Sequence, residues 1–445
     1  MAYLPHTEEE VARLLAACGL SKLEDLVEPI PPELRLKRPL RIPHAAAEFE
    51  LREEMEALAG RNLEGLRGVF LGAGAYSHYV PSAINHLVLR QEFLTAYTPY
   101  QAEIAQGTLT WIFEYQTMVC QLTGMEVANA SLYDASTALA EACLMARRVH
   151  KDKGAIVVSR GVHPEYIQTA RTFLAPTGVE VLEVPVGEDG RTDWGALEYE
   201  GDVAAICVQS PNFLGCIEDL GEARRIASKN GALLIAGFSE PLSLALLKPP
   251  GEFGADIVFG EGAGFGVPVQ YGGPYVGMFA TKKEYIRQMP GRLIGQTVDA
   301  DGHVGYVMTL TTREQHIRRE KATSNICTNI ALMALRSTIY LCLMGKAGLR
   351  DLARQNLARA ESFKKRVAAI KGFELPHEAP TFNEFVVRLP KPYAQVEKSF
   401  HSMGVVPGLP LARYAPERDR DLLVCITETV SDAAVDAWLS VAKGL

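Results

Sequence analysis

The sequence has no excess of basic residues, no long apolar run and no closely paired cysteines. Its formal net charge is −8 over 445 residues, which argues against a protein that binds nucleic acid or anionic membranes. No apolar run approaches the roughly 20 residues that span a bilayer. The N-terminus lacks a basic region followed by an apolar stretch, so we predict no signal peptide.

Cysteine usage excludes two further classes. The eight cysteines show no C-x-x-C spacing, so we predict neither a metal site nor a disulfide scaffold. Reduced cysteines are typical of the cytoplasm, where we expect this protein to be found. Hydrophobic residues make up 48% and charged residues 22% of the chain, as in ordinary globular proteins.

The spacing of apolar residues divides the chain into an N-terminal arm and two predicted domains. Residues 1–60 contain helical patterns interrupted by prolines and too little apolar content to fold alone, so we expect an arm that wraps a larger body or a partner subunit. Residues 61–310 predict a large α/β domain, and residues 311–445 predict a smaller α+β domain.

Six short apolar runs in the middle part predict strands buried between layers of helices. The runs are 155–159, 179–185, 203–209, 232–237, 256–260 and 276–281. Because helical patterns alternate with them, the sheet should be mostly parallel. Ligands of such sheets bind at the carboxyl ends of the strands.

One predicted loop is crowded with polar and aromatic residues. It contains Tyr97, Tyr100, Gln101 and Glu103, and a helical pattern follows it. A buried loop with satisfied hydroxyl groups would explain this composition. The functional hypothesis is a pocket wall that offers hydrogen-bond donors to a small anionic ligand.

A second candidate site lies at a predicted turn that leads into a helix. It contains Asp134, Ser136 and Thr137. Backbone N–H groups at such a position can bind phosphate. A simple helix cap explains Ser136 and Thr137 equally well.

Several motifs resemble the P-protein family of the glycine cleavage system, glycine decarboxylase. They are 97–103 (YTPYQAE), 115–118 (YQTM), 122–124 (LTG), 128–134 (ANASLYD) and 318–325 (RREKATSN). The resemblance covers essentially the whole chain. It implies a PLP-dependent transferase-like fold of type I, with a mostly parallel sheet in the large domain.

The resemblance also implies a reaction. Glycine loses its carboxylate as carbon dioxide, and the aminomethyl group passes to the lipoyl arm of the H-protein, with pyridoxal phosphate (PLP) as the electron sink. Tyr97, Tyr100, Gln101 and Glu103 are then the expected catalytic residues. Asp134, Ser136 and Thr137 are the expected cofactor-binding residues.

A lysine required for this chemistry is missing. The PLP-binding half of the family has a lysine followed five residues later by proline, whereas this chain has Ala263 and Pro268. No lysine occurs between Asp256 and Ala280, and alanine cannot form a Schiff base. The chain thus resembles the first, lysine-free half of long P-proteins as a separate polypeptide. The resemblance implies that PLP is held covalently by a homologous subunit 2, with which this chain would form a heterotetramer.

Two other departures concern the cofactor ring. The predicted strand 232–237 is not followed by an aspartate to pair with the pyridinium nitrogen; the nearest carboxylate is Glu240, which we do not expect to replace it. His163 follows strand 155–159, where this fold can stack a ring on PLP. We interpret it as a structural histidine.

Three interpretations remain open on the sequence. The leading one is an enzyme subunit that completes a PLP site without owning the cofactor and is inactive alone. The second is a purely structural or regulatory partner that supplies no active-site residues. The third is a self-sufficient PLP enzyme that uses Lys282 or Lys283. The polar loop favours the first, because a scaffold has no need of it.

Overall fold

The computed structural model shows two compact units, Met1–Gly65 and Leu66–Leu445. It describes residues 6–62, 65–94, 98–150 and 154–445. Among these residues, no helix is both long and apolar enough to cross a membrane. The predicted borders of the three domains stay predictions.

The described residues of the first unit include two α-helices, α1 (Glu8–Ala17) and α2 (Glu48–Ala59). Helix α1 begins with a capping box, in which Thr7 Oγ1 accepts from the Glu10 backbone N–H while the Glu10 side chain accepts from Thr7 N. No described side chain of this unit is buried. Its apolar side chains therefore contribute little to a core of their own.

Helices and strands of the second unit alternate along most of its length. The helices are α3 (Ala83–Val88), α4 (Gln91–Leu94), α5 (Gln106–Thr123), α6 (Ala135–Val149), α7 (Pro164–Leu174), α8 (Leu220–Lys229), α9 (Gln315–Arg318), α10 (Ala331–Ala368), α11 (Tyr393–Ser402) and α12 (Asp432–Lys443). The strands are β1 (Gly68–Val69), β2 (Val127–Ala128), β3 (Ala155–Ser159), β4 (Glu180–Val184), β5 (Val203–Gln209), β6 (Leu233–Phe238), β7 (Ile257–Glu261), β8 (Gly277–Thr281), β9 (Leu293–Val298), β10 (Val304–Thr309), β11 (Glu384–Arg388), β12 (Val405–Val406), β13 (Leu409–Pro410) and β14 (Asp421–Cys425).

A seven-stranded sheet in the order β2-β8-β7-β6-β5-β3-β4 forms the centre of this unit. Strands β3 to β7 are parallel, and β8 runs antiparallel to β7. The predicted strands are confirmed to within about a residue. Apolar side chains cover both faces of the sheet, which accounts for the continuous apolar runs in the sequence.

The C-terminal part adds a three-stranded sheet in the order β11-β14-β13. Helix α10 precedes it and contains Gly345 at φ 58°, where the helical geometry is interrupted. This break divides α10 into two helical segments, of which the first begins at Ala331. The hairpin of β9 and β10 was not predicted.

A buried polar cluster joins the carboxyl end of β6 to the C-terminal part. His78 Nε2 lies 3.0 Å from Glu240, and His78 Nδ1 lies 3.0 Å from Glu428. Asn383 Nδ2 donates to Glu240 at 2.7 Å, and Asn356 Nδ2 donates to Glu428 at 2.7 Å. Burial alone would lower the pKa of His78, but the two carboxylates raise it to about 10. His78 is therefore a buried imidazolium that compensates two carboxylates.

Removing this imidazolium should destabilise the fold. We expect His78→Ala to lower the free energy of unfolding by about 3–5 kcal/mol, because it leaves buried carboxylates without their cation. Urea denaturation measures the change, and His86→Ala, at an exposed histidine, is the control. An equal, small effect of both variants would contradict the role of His78.

The pH dependence should show the same interaction. Because the folded pKa of His78 is raised from 6.5 to about 10, its stabilisation is complete below pH 6.5 and is lost as the pH rises through about 10. The stability difference between the wild type and His78→Gln should shrink over that window. A difference that does not change with pH would show that His78 is uncharged.

Candidate functional site

The carboxyl ends of β5, β6 and β7 lie side by side, because these strands are parallel neighbours. The chain leaves them at Gln209, Ser239 and Glu261, all of which are buried. Gln209 Nε2 donates to Ser239 Oγ at 3.2 Å, and Gln209 Oε1 accepts from His163 N at 3.1 Å. Buried polar side chains thus line the edge at which this kind of sheet binds its ligands.

Ala263 lies two residues beyond β7, at the position where the resemblance expects a lysine. Its backbone N–H donates to Glu261 Oε1 at 2.9 Å. The space that opens beside it is about 10 Å³, with Tyr76 and Tyr275 in its wall. A space of this size holds about one water molecule.

The Glu261 carboxyl group lies between three backbone segments. Oε1 accepts from Ala263 N and also from Val276 N at 2.8 Å. Oε2 accepts from Ala135 N, in the first turn of α6, at 3.2 Å. Burial raises the pKa of Glu261 to about 8, although these three N–H groups favour the charged form. The side chain is 2% exposed.

The structure brings the predicted phosphate-binding residues together at the N-terminus of α6. Asp134 is the N-cap, and its Oδ1 accepts from Thr137 N at 2.8 Å. Ser136 Oγ donates to the same oxygen at 2.5 Å. The three side chains therefore bond to one another and to the helix end. Their assignment to a cofactor stays a prediction.

A cavity of about 290 Å³ opens beside this helix end, with Glu261, His163, Tyr166 and Tyr275 among its lining residues. The His163 ring stacks on Tyr166 with centroids 4.5 Å apart. His163 Nε2 lies 3.0 Å from the Ala73 carbonyl, and Nδ1 accepts from Glu165 N. Burial lowers the pKa of His163. Both nitrogens and one ring face thus have partners within the chain, as a structural histidine should.

Glu240 does not reach this cavity. Its carboxylate accepts from Asn383 Nδ2 and Leu242 N and pairs with His78, and the residue is 2% exposed. Phe238 ends β6 and is fully buried. The end of β6 therefore carries no aspartate, and its last residue packs in the hydrophobic core.

The predicted catalytic loop lies elsewhere on the unit. Tyr97 is outside the described residues. Tyr100 is 59% exposed, and Gln101 and Glu103 are exposed around the turn before α5. The alternative of a buried loop does not hold for these three side chains. Their role in catalysis stays a prediction.

A cavity of about 400 Å³ adjoins this loop, with Pro99, Trp111, Arg292 and Asn329 among its lining residues. The Arg292 guanidinium lies 5.9 Å from the centre of the Tyr100 ring. It donates to Thr328 Oγ1 at 3.0 Å and is 6% exposed. The Arg292 guanidinium also donates to Asn329 Oδ1 and to the Cys327 carbonyl, and it places a buried positive charge at the wall of the cavity.

Sequence reasoning missed Glu261 and Arg292. An acidic residue at the end of the apolar run 256–260 was a signal for Glu261, since such a carboxyl must find partners near the strand end. Arg292 lies in a short segment with glycine and apolar residues, and only the packing against Tyr100 and Thr328 distinguishes it.

Lys282 lies at the opposite end of the sheet from the cavity near Glu261. It follows β8, which is antiparallel to β7, and its ammonium group pairs with Asp256, just before β7. Lys283 is the next residue and is exposed. Neither lysine is placed to reach the carboxyl ends of the parallel strands, so the third interpretation loses its support.

Comparisons with known proteins identify the relatives of the whole chain. The family model described as "Glycine cleavage system P-protein" matches residues 1–442. The probable glycine dehydrogenase (decarboxylating) subunit 1 of Brevibacillus brevis is 48% identical over 437 residues, 98% of this chain and 96% of the relative. The protein of the same name from Moorella thermoacetica is 46% identical and covered completely, as is this chain.

Solved structures agree with this result. A crystal structure of glycine decarboxylase (P-protein) of the glycine cleavage system, in inhibitor-bound form, superposes with a TM-score of 0.90 at 42% identity and full coverage of both chains. A Burkholderia pseudomallei sphingosine-1-phosphate lyase has a TM-score of 0.67 at 14% identity, with 93% of this chain and 94% of the lyase covered. The lyase supports the fold alone.

Proposed function

The chain belongs to the glycine cleavage system P-protein family, and from this premise we propose that it is the subunit of glycine decarboxylase that does not hold the cofactor. Together with a homologous PLP-binding subunit 2, it decarboxylates glycine and transfers the aminomethyl group to the lipoyl arm of the H-protein. This assignment agrees with the fold, which is that of type I PLP-dependent enzymes.

The observation that carries the proposal is Ala263. It follows β7, the chain has no lysine between Asp256 and Ala280, and Lys282 pairs with Asp256 at the other end of the strand. PLP, held by subunit 2, would supply the electron sink for decarboxylation. This chain's contribution is the loop around Tyr100, which projects polar groups from the surface.

In this proposal, the loop binds the carboxylate end of the substrate across the subunit interface. Tyr97, Tyr100 and Gln101 donate hydrogen bonds, and Glu103 orients these donors because a carboxylate beside a carboxylate is unfavourable. Arg292 adds a buried positive charge next to Tyr100. The competing proposal is a structural or regulatory partner that contributes no such groups.

The isolated chain, without its partner subunit, should not bind PLP covalently. We expect borohydride reduction of the purified chain with PLP to leave no stoichiometric phosphopyridoxyl-lysine, because Ala263 offers no amine. Peptide mass spectrometry measures the adduct, and subunit 2 treated in the same way is the positive control. A stoichiometric adduct on one lysine of this chain would overturn the proposal.

Assembly should be required for activity. The first unit exposes apolar side chains such as Leu40, Ile42 and Phe49, each at least 64% exposed, and obligate interfaces of this fold bury more than about 2,000 Å². We expect light scattering to show a heterodimer or its heterotetramer when subunit 2 is present. A stable, active monomer that gains nothing from the partner would count against this expectation.

The loop should matter for rate and not for assembly. In the assembled complex, Tyr97→Phe or Tyr100→Phe should slow glycine decarboxylation by about 10²–10³, the usual effect of removing one preorganised donor. Tyr393→Phe, on helix α11, is the matched control. If both loop variants assemble and turn over at the wild-type rate, the structural-partner proposal is the better one.

A further inference from the structure

The N-terminus of a helix presents backbone N–H groups that need acceptors, and phosphate groups bind there readily. In α6 the chain supplies acceptors of its own. Asp134 Oδ1 accepts from Thr137 N at 2.8 Å, and Glu261 Oε2 accepts from Ala135 N at 3.2 Å. Two carboxyl groups therefore lie at the helix end that adjoins the 290 Å³ cavity.

Glu261 does more than cap the helix. Its other oxygen accepts from Ala263 N at 2.9 Å and Val276 N at 2.8 Å, so a single carboxyl group receives donors from α6, from the loop after β7 and from the segment before β8. A tetrahedral anion in an ordinary phosphate site is bound in the same way, by several backbone N–H groups that converge from different loops.

We propose that Glu261 is an internal substitute for a phosphate, which fills the anion site of this chain and excludes phosphorylated cofactors from it. The proposal rests on the family assignment for the comparison with PLP enzymes, and it goes beyond the missing lysine. It says that this chain has two independent obstacles to PLP, the absent amine at Ala263 and the occupied N–H groups at Glu261.

The electrostatics of the cavity act in the same direction. Asp134 opposes the charge on Glu261, and Glu165 also lines the cavity. A phosphate dianion in this cavity would meet the carboxylates of Asp134 and Glu165, and like charges repel. Residues of this chain therefore do not fit the phosphate of PLP.

Restoring the lysine alone should fail to restore cofactor binding. We expect Ala263→Lys in the full chain to give little phosphopyridoxyl adduct at position 263 after borohydride reduction. The double variant Ala263→Lys/Glu261→Ser should give at least about ten times more adduct at the same PLP concentration, because it frees the backbone N–H groups for the phosphate. Equal trapping by the single and double variants would overturn the proposal.

A second measurement uses inorganic phosphate and no cofactor. The full-length chain is assembled with subunit 2, whose own site is saturated with PLP. Phosphate binding to this complex is measured by calorimetry at about pH 9, because the Glu261 carboxyl in the wild type is ionised at that pH. Glu261→Ser should bind about one additional phosphate per chain, with an affinity at least about tenfold above the wild type. No gain in phosphate affinity would refute the proposal.

Control variants distinguish the effect of negative charge in the cavity from the effect of the Glu261 side chain on the backbone N–H groups. Glu165→Gln removes a charge from the same cavity but leaves Glu261 on its N–H donors, so it should not create the phosphate site. Glu261→Ala also removes the side chain that occupies the N–H groups and serves if the serine variant does not fold; it too should gain phosphate affinity. Glu261→Gln removes the charge but still fills the site, so it should gain little, and equal gains for Glu165→Gln, Glu261→Gln and Glu261→Ala would show that general charge, and not the filled site, excludes the anion.

Failure of this proposal and failure of the proposed function give different experimental results. If the wild type already traps PLP on a lysine, the assignment as a cofactor-free subunit fails, whatever phosphate does. If the Glu261 variants bind phosphate no more tightly than the wild type does, the internal-anion proposal fails while the assignment as a cofactor-free subunit stands.

Discussion

A carboxyl group that leaves water must find hydrogen-bond donors or a cation, and this requirement organises the carboxyl edge of the central sheet. Glu261 is satisfied by three backbone N–H groups, and Glu240 by His78 and Asn383. Glu384 accepts from the Tyr76 hydroxyl at 2.8 Å. Because the donors belong to different segments, each acid fixes the position of several loops at once.

Much of the fold follows from the sequence alone. Strands such as 203–209 are apolar at nearly every position, and a strand covered on both faces by helices permits little else. The hairpin of β9 and β10 was missed because β9 changes from buried to exposed along its length, β10 is mostly half-buried, and neither strand shows a clear alternation. Its position depends on Gln106, which bonds to the backbone of Tyr306 in both directions, at 2.9 Å.

The candidate site was less predictable, for physical reasons. Asp134 could be recognised as a residue at a helix start, since capping is a local interaction. Glu261 and Arg292 acquire their roles from segments remote in sequence, and no local pattern reports such contacts. The exposure of Tyr100 could not be predicted from the sequence either, because an aromatic residue in a polar loop can lie in the core or on the surface.

The contact between His78 and Glu428 spans 350 residues of the chain. During synthesis at about 10 residues per second, the histidine emerges roughly half a minute before its second carboxylate partner exists. Until then, the edge of the sheet cannot acquire its final hydrogen bonds, and the nascent chain carries incompletely compensated acids next to apolar strands. Long-range contacts of this kind slow folding, so the closure of this unit must wait until the segment that contains Glu428 has been made.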